Sequence, residues 1–110
     1  MTTKRTIWLL DIDGTVCEDV PNEQQHLFAE AKPLPGALEK VLEFYERGDR
    51  VTFFTARTSE HAAVTEEWLD RHGFPYESVC YNKPRIEDGE EYCWVDNKPV
   101  MAIHLPEGLQ

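Results

Sequence analysis

A chain of 110 residues suffices for one domain with one core, and 41% hydrophobic with 11% aromatic residues is the make-up of an ordinary globular protein rather than a disordered one. The formal charge of -10 argues against tight non-specific binding to nucleic acid, because such a surface repels phosphate backbones. Small phosphorylated molecules stay within reach if a metal ion and local Lys or Arg side chains offset that repulsion.

Ile7-Trp8-Leu9-Leu10 reads as a buried strand that runs into Asp11-Ile12-Asp13-Gly14-Thr15. Two carboxylates one residue apart at the carboxyl end of a strand repel each other unless a cation or a shared proton relieves them. A divalent ion with hard oxygen ligands, magnesium above all, suits them. An Asp-x-Asp-Gly run also occurs in plain turns and in calcium loops. The calcium version lacks its further ligands here, since positions 16, 17 and 22 are Val, Cys and Asn.

Residues 16–34 follow neither the helical nor the strand period and read as a long loop or flap beside the site, with at most one short helical turn. Pro35 to Arg47 reads as a helix with Leu38, Val41, Leu42 and Tyr45 on its apolar face and Gly48 as its stop. Val51-Thr52-Phe53-Phe54 is β-rich and ends in Thr55. A second helix is expected from Ser59 to His72, with Val64, Trp68 and Leu69 inward and Gly73 after it. Short strands are expected at Ser78–Tyr81, Tyr92–Val95 and Ala102–Leu105, about five strands in all. Alternation of strands and helices implies an α/β fold, a parallel Rossmann-like sheet in three layers, with residues 1–110 as a single domain.

The apolar run after Lys4 and Arg5 is too short for a signal peptide or a membrane span, so a cytoplasmic protein without a membrane partner is expected. Cys17, Cys80 and Cys93 are an odd number without C-x-x-C spacing and read as free thiols of a reducing cytosol, Cys17 lying close to the acids. His61, His72 and His104 read as structural or exposed, and His26 as a residue that could line the flap. In a parallel sheet all carboxyl ends share one edge, so Asp11, Asp13, Thr55, Lys83 and Asp96 should converge there.

These residues resemble the haloacid dehalogenase superfamily in its phosphatase branch. Asp11 to Thr15 is similar to its first motif, Phe53-Phe54-Thr55-Ala56-Arg57 to the second, Asn82-Lys83-Pro84 to the third and Trp94-Val95-Asp96-Asn97 to the fourth. The short length resembles a small member without a cap domain. The resemblance implies a magnesium-dependent phosphomonoester hydrolase working through an aspartyl-phosphate on a sugar phosphate or nucleotide. In that reading Asp11 attacks phosphorus, and Asp13, its pKa raised by the neighbouring carboxylate, exchanges protons with leaving group and water. Thr55 and the backbone at Gly14 and Thr15 hold phosphoryl oxygens, and Lys83 balances charge. Ala56 and Arg57 border the substrate, Arg57 either reaching a second anionic group or forming a surface salt bridge. The Asp11 side chain, the Asp13 backbone carbonyl and Asp96 hold the metal.

One departure from the pattern is Asn97, where many members carry a second acid. A polynucleotide 3'-end phosphatase and a catalytically silent binding protein of the same fold are the alternatives. A signalling receiver module is disfavoured, because the strand after the first helix ends in Thr55 rather than in an acid.

Overall fold

The computed structural model describes residues 4–110. Three parallel strands form one sheet in the order β1-β2-β3, with β1 at Ile7–Leu10, β2 at Arg50–Phe54 and β3 at Ser78–Cys80. Helix α1, Ala37–Glu46, connects β1 to β2, and α2, Ala62–Arg71, connects β2 to β3. The expected α/β fold with a parallel sheet is therefore present. Leu10 stands opposite Phe53, and Phe54 opposite Cys80, which brings the carboxyl ends of all three strands to one edge.

The core lies between β2 and the two helices. Val51, Phe53, Val41, Trp68, Leu69 and Phe74 are buried there, and Phe53 meets Phe74 and Tyr76 edge to face. Helix α1 turns Ala37, Val41 and Phe44 inward, a spacing of four and three residues that follows one helical face. Tyr45, expected on that face, is 60% exposed; Phe44 holds the inner position and stacks on Trp8 with ring centroids 3.9 Å apart. In α2 the inward residues are Thr65, Trp68 and Leu69, with Val64 at the margin.

The flap is more ordered than its sequence suggests: Asn22–Glu30 forms a 3-10 helix, broken in its regularity at Gln24, that buries Phe28. It is tied to α2 where Trp68 Nε1 donates to the Ala31 carbonyl at 2.9 Å. His26 on this segment is exposed.

Two expectations do not hold among the described residues. β1 pairs with β2 alone, so it is an edge strand, and Ile7 and Leu9 are exposed rather than buried. Residues 92–95 and 102–105 form no strands, and the sheet has three strands rather than about five. Intrinsic strand preference spans only about 1 kcal/mol, so a run of four residues stays irregular without a paired neighbour. Pro99 and Pro106, which lack an N–H to donate, bound the later run. Val95 and Met101 are 90% and 85% exposed in consequence. The chain end returns to the turn after β1, where Leu109 N–H donates to the Thr15 carbonyl at 2.8 Å.

Candidate functional site

The site is built at the carboxyl edge of the sheet. After β1 the chain turns at Gly14, whose φ of 81° is open to glycine at little cost, and the N–H groups of Thr15 and Val16 both donate to the Ile12 carbonyl at 3.0 Å. Ile12 is fully buried, so the residues on either side of it, Asp11 and Asp13, face away from the core. Thr15 Oγ1 donates to Asp11 Oδ2 at 3.3 Å.

β2 and β3 continue their pairing past the strand ends. Thr55 N–H donates to the Cys80 carbonyl, Lys83 N–H to the Thr55 carbonyl and Asn82 N–H to the Arg57 carbonyl, each at 2.9 Å. Asn82 takes the left-handed conformation, φ 65°, that reverses the chain and returns Lys83 to the sheet edge. Lys83 Nζ then lies 3.9 Å from Asp11 Oδ1, over the ring of Tyr92 at 4.7 Å. Burial raises Asp11 above the ordinary carboxylate value, the Lys83 ammonium opposes that, and Asp13 adds to it.

Asp13 faces a different partner. Arg57 Nε donates to its Oδ2 at 2.9 Å and Nη2 to its Oδ1 at 2.8 Å, a bidentate pair, and Cys17 Sγ lies 3.7 Å from Oδ1. Arg57 is fully buried. Its third nitrogen, Nη1, donates to Thr65 Oγ1 at 3.1 Å, and its guanidinium lies 3.9 Å from the centre of the Phe28 ring. Fully buried, Arg57 neither reaches an anion at the surface nor forms a surface salt bridge. Its neighbour Ala56 accepts from Asn22 Nδ2 of the flap at 3.0 Å. The Thr55 hydroxyl is also buried and accepts from the Arg57 N–H at 3.1 Å.

The structure thus brings Asp11, Asp13, Gly14, Thr15, Thr55, Ala56, Arg57 and Lys83 to one edge. It does not bring Asp96 to them. Asp96 is exposed and spends its carboxylate locally, accepting from Trp94 Nε1 at 3.2 Å and from Lys98 N–H at 3.0 Å. Among the described residues no group of three or more His, Cys, Asp or Glu side chains is disposed to hold a metal ion. Asp11 offers a partly open carboxylate, and the pairing with Arg57 occupies the side chain of Asp13 but not its main-chain carbonyl, so these two oxygens suit a magnesium ion while Asp96 stands apart from them. Phe28, Thr65 and Tyr92 belong to the surroundings of the site and carry no signal in the sequence, being ordinary core or surface types until the fold places them.

Burial pushes the Cys17 thiol up to about 12, with the Asp13 charge as the next cause. This thiol is a packed side chain in the turn, held neutral. No helix among the described residues is long and apolar enough to cross a membrane.

Residues 8–94 match the family described as PITM 1-3, LNS2 domain. A protein of Chlorobaculum tepidum named "Putative 5'(3')-deoxyribonucleotidase" is 30% identical over 88 residues, covering 74% of this chain and 43% of its own length. A protein of Oceanobacillus iheyensis named "Putative nucleotidase" is 40% identical over 86 residues, covering 71% of this chain and 46% of its own. The chain therefore spans under half the length of these curated relatives. A crystal structure of a target protein from Vibrio cholerae superposes with a TM-score of 0.61 at 21% identity, over 86% of this chain and 82% of that one, and so shares the fold. With the residues of its first three motifs on one sheet edge and the LNS2 match running from β1 past Lys83, the chain belongs to the haloacid dehalogenase superfamily.

Proposed function

We propose that this chain hydrolyses phosphomonoesters, with a nucleotide or another small phosphorylated metabolite as substrate. The observation that carries the reading is the pairing of roles at the sheet edge. Asp11 keeps an open oxygen beside the Lys83 ammonium, while Asp13, two residues on, is clamped in place. The names of the two curated relatives favour nucleotides within that class.

In the proposed reaction Asp11 attacks phosphorus, an Asp11 oxygen–phosphorus bond forms and the bond from phosphorus to the leaving oxygen breaks. Asp13, protonated for this step on an oxygen that keeps a second lone pair for its Arg57 bond, gives that proton to the leaving oxygen, the alcohol departs, and the Asp13 carboxylate held by Arg57 is left as the base. Water then attacks phosphorus, its proton passes to Asp13, and the Asp11–phosphorus bond breaks to release inorganic phosphate. Lys83 offsets the charge that gathers on Asp11 and the phosphoryl group. The backbone at Gly14 and Thr15 and the polar edge at Thr55 and Ala56 border the phosphoryl position.

Magnesium dependence is part of the proposal, because a phosphate dianion beside two carboxylates meets a single open cation in Lys83. Its proposed ligands are the Asp11 carboxylate, the Asp13 main-chain carbonyl and Asp96, the last of which stands apart from the other two in this structure.

The test is phosphate release from an aryl phosphate, nucleoside 5'- and 3'-monophosphates and sugar phosphates, with magnesium or chelator, for wild type and Asp11→Asn. Release that needs magnesium and is lost in Asp11→Asn supports the hydrolase. Absence of release from every substrate, together with unchanged binding of nucleotides in Asp11→Asn, would overturn it in favour of a binding protein. Release confined to 3'-phosphorylated polynucleotide ends would overturn the small-metabolite part.

A further inference from the structure

We propose that Arg57 is a positioning residue: it holds the Asp13 carboxylate by both oxygens while α2 and the flap hold Arg57 from behind, so that these two elements set where the proton carrier points. The inference rests on the hydrolase reading, in which Asp13 exchanges the proton.

The arrangement has three layers. Nearest the reacting edge, Nε and Nη2 of Arg57 grip Asp13 Oδ2 and Oδ1 at 2.9 and 2.8 Å. Behind them, Thr65 Oγ1 of α2 accepts from Nη1 at 3.1 Å, and the Phe28 ring of the flap covers the guanidinium plane at 3.9 Å. Outermost, Asn22 Nδ2 ties the flap to the Ala56 carbonyl, and Trp68 Nε1 ties the end of the flap to α2. The main chain of Arg57 is fixed as well, its N–H on Thr55 Oγ1 and its carbonyl on the Asn82 N–H.

Two features separate this from an ordinary structural ion pair. A fully buried guanidinium is expensive to desolvate, and a buried pair is a poor way to stabilise a fold compared with apolar side chains of the same size. The planar fork does, however, fix both oxygens of a carboxylate at once, which a lysine cannot do. Its partner is the one acid of the pair whose orientation matters for proton transfer, and Arg57, fully buried, presents no surface to a substrate. Its effect therefore passes through Asp13.

The test uses the full chain, an aryl phosphate and magnesium, with kcat and KM measured for wild type, Asp13→Asn, Arg57→Lys, Thr65→Val and the double variant Asp13→Asn/Arg57→Lys. Arg57→Lys keeps a cation beside Asp13 but loses the fork; kcat should fall about 10–100-fold with KM within about twofold, the pattern of a misplaced group that does not touch substrate. Thr65→Val, which removes one hydrogen bond and leaves the ion pair, should lower kcat about threefold or more. In the double variant the Arg57→Lys loss should vanish, because Asp13 is no longer there to be positioned.

Arg57→Lys and Thr65→Val with kcat unchanged, or an Arg57→Lys loss that multiplies in full with that of Asp13→Asn, would overturn the inference. Circular dichroism at the assay temperature checks that each variant is folded, and if Arg57→Lys is not, Thr65→Val decides alone. Wild type that releases no more phosphate than Asp11→Asn overturns the hydrolase reading and this inference together; active wild type with indifferent Arg57 and Thr65 variants overturns this inference only.

Discussion

Trp68→Phe is the substitution whose cost can be worked most directly from the structure. Trp68 is fully buried, its ring stacks on Phe74 at 5.6 Å, and its Nε1–H donates to the Ala31 carbonyl at the end of the flap. Phe fills most of the same volume but has no donor. The Ala31 carbonyl, on a residue 3% exposed, is left without that partner, which costs about 1–3 kcal/mol. The lost part of the indole removes about 1–2 kcal/mol of burial. The sum is about 2–5 kcal/mol, a lowering of Tm by roughly 10–25 °C for a domain of this size. Thermal unfolding and urea midpoints followed by far-ultraviolet circular dichroism measure it, with Trp94→Phe as the control. Trp94 is 48% exposed, and its replacement should stay within about 0.5 kcal/mol. A Trp68→Phe variant as stable as the Trp94→Phe control would refute the claim that this bond pins the flap to the core.

Other outcomes follow from the electrostatics. Lys83→Met should lower kcat/KM about 10²–10³-fold by removing the open cation at Asp11, while thermal stability changes by under about 1 kcal/mol because the pair is long and partly solvated; activity within about threefold of wild type would remove Lys83 from the proposed chemistry. Hydrogen bonds from Trp8, Arg47 and Thr6 hold Asp49 at about 2, below its ordinary 3.8. Between those values the unfolded chain binds more protons than the folded one, so the contribution of Asp49 is present above pH 3.8 and is lost as pH falls toward 2. Acid unfolding of Asp49→Asn should therefore lack that part of the slope, and an unchanged acid limb would count against it. A thiol reagent on the native protein should modify Cys80 and Cys93, both exposed, and reach Cys17 only after unfolding; rapid reaction of all three would contradict the burial of the Asp13 turn.

What the sequence determined by itself was local chemistry with a shared destination. An acid pair before a glycine, a β-rich run ending in threonine and a third run followed by Asn82-Lys83 each end a strand, and parallel pairing forces such ends to one edge whatever the details. The helices were legible for a similar reason, since a 3.6-residue period and a closing glycine are properties of adjacent residues. Tertiary structure decided the rest. No spacing announces that Arg57 turns inward, because its partner is 44 residues away and an exposed arginine would look the same in sequence. The choice between Phe44 and Tyr45 as the buried aromatic depended on Trp8 offering a ring to stack on. Strand preference in Tyr92–Val95 produced no strand and left Asp96 on a solvated loop. A strand exists only through a partner's hydrogen bonds, and no sequence pattern supplies the partner.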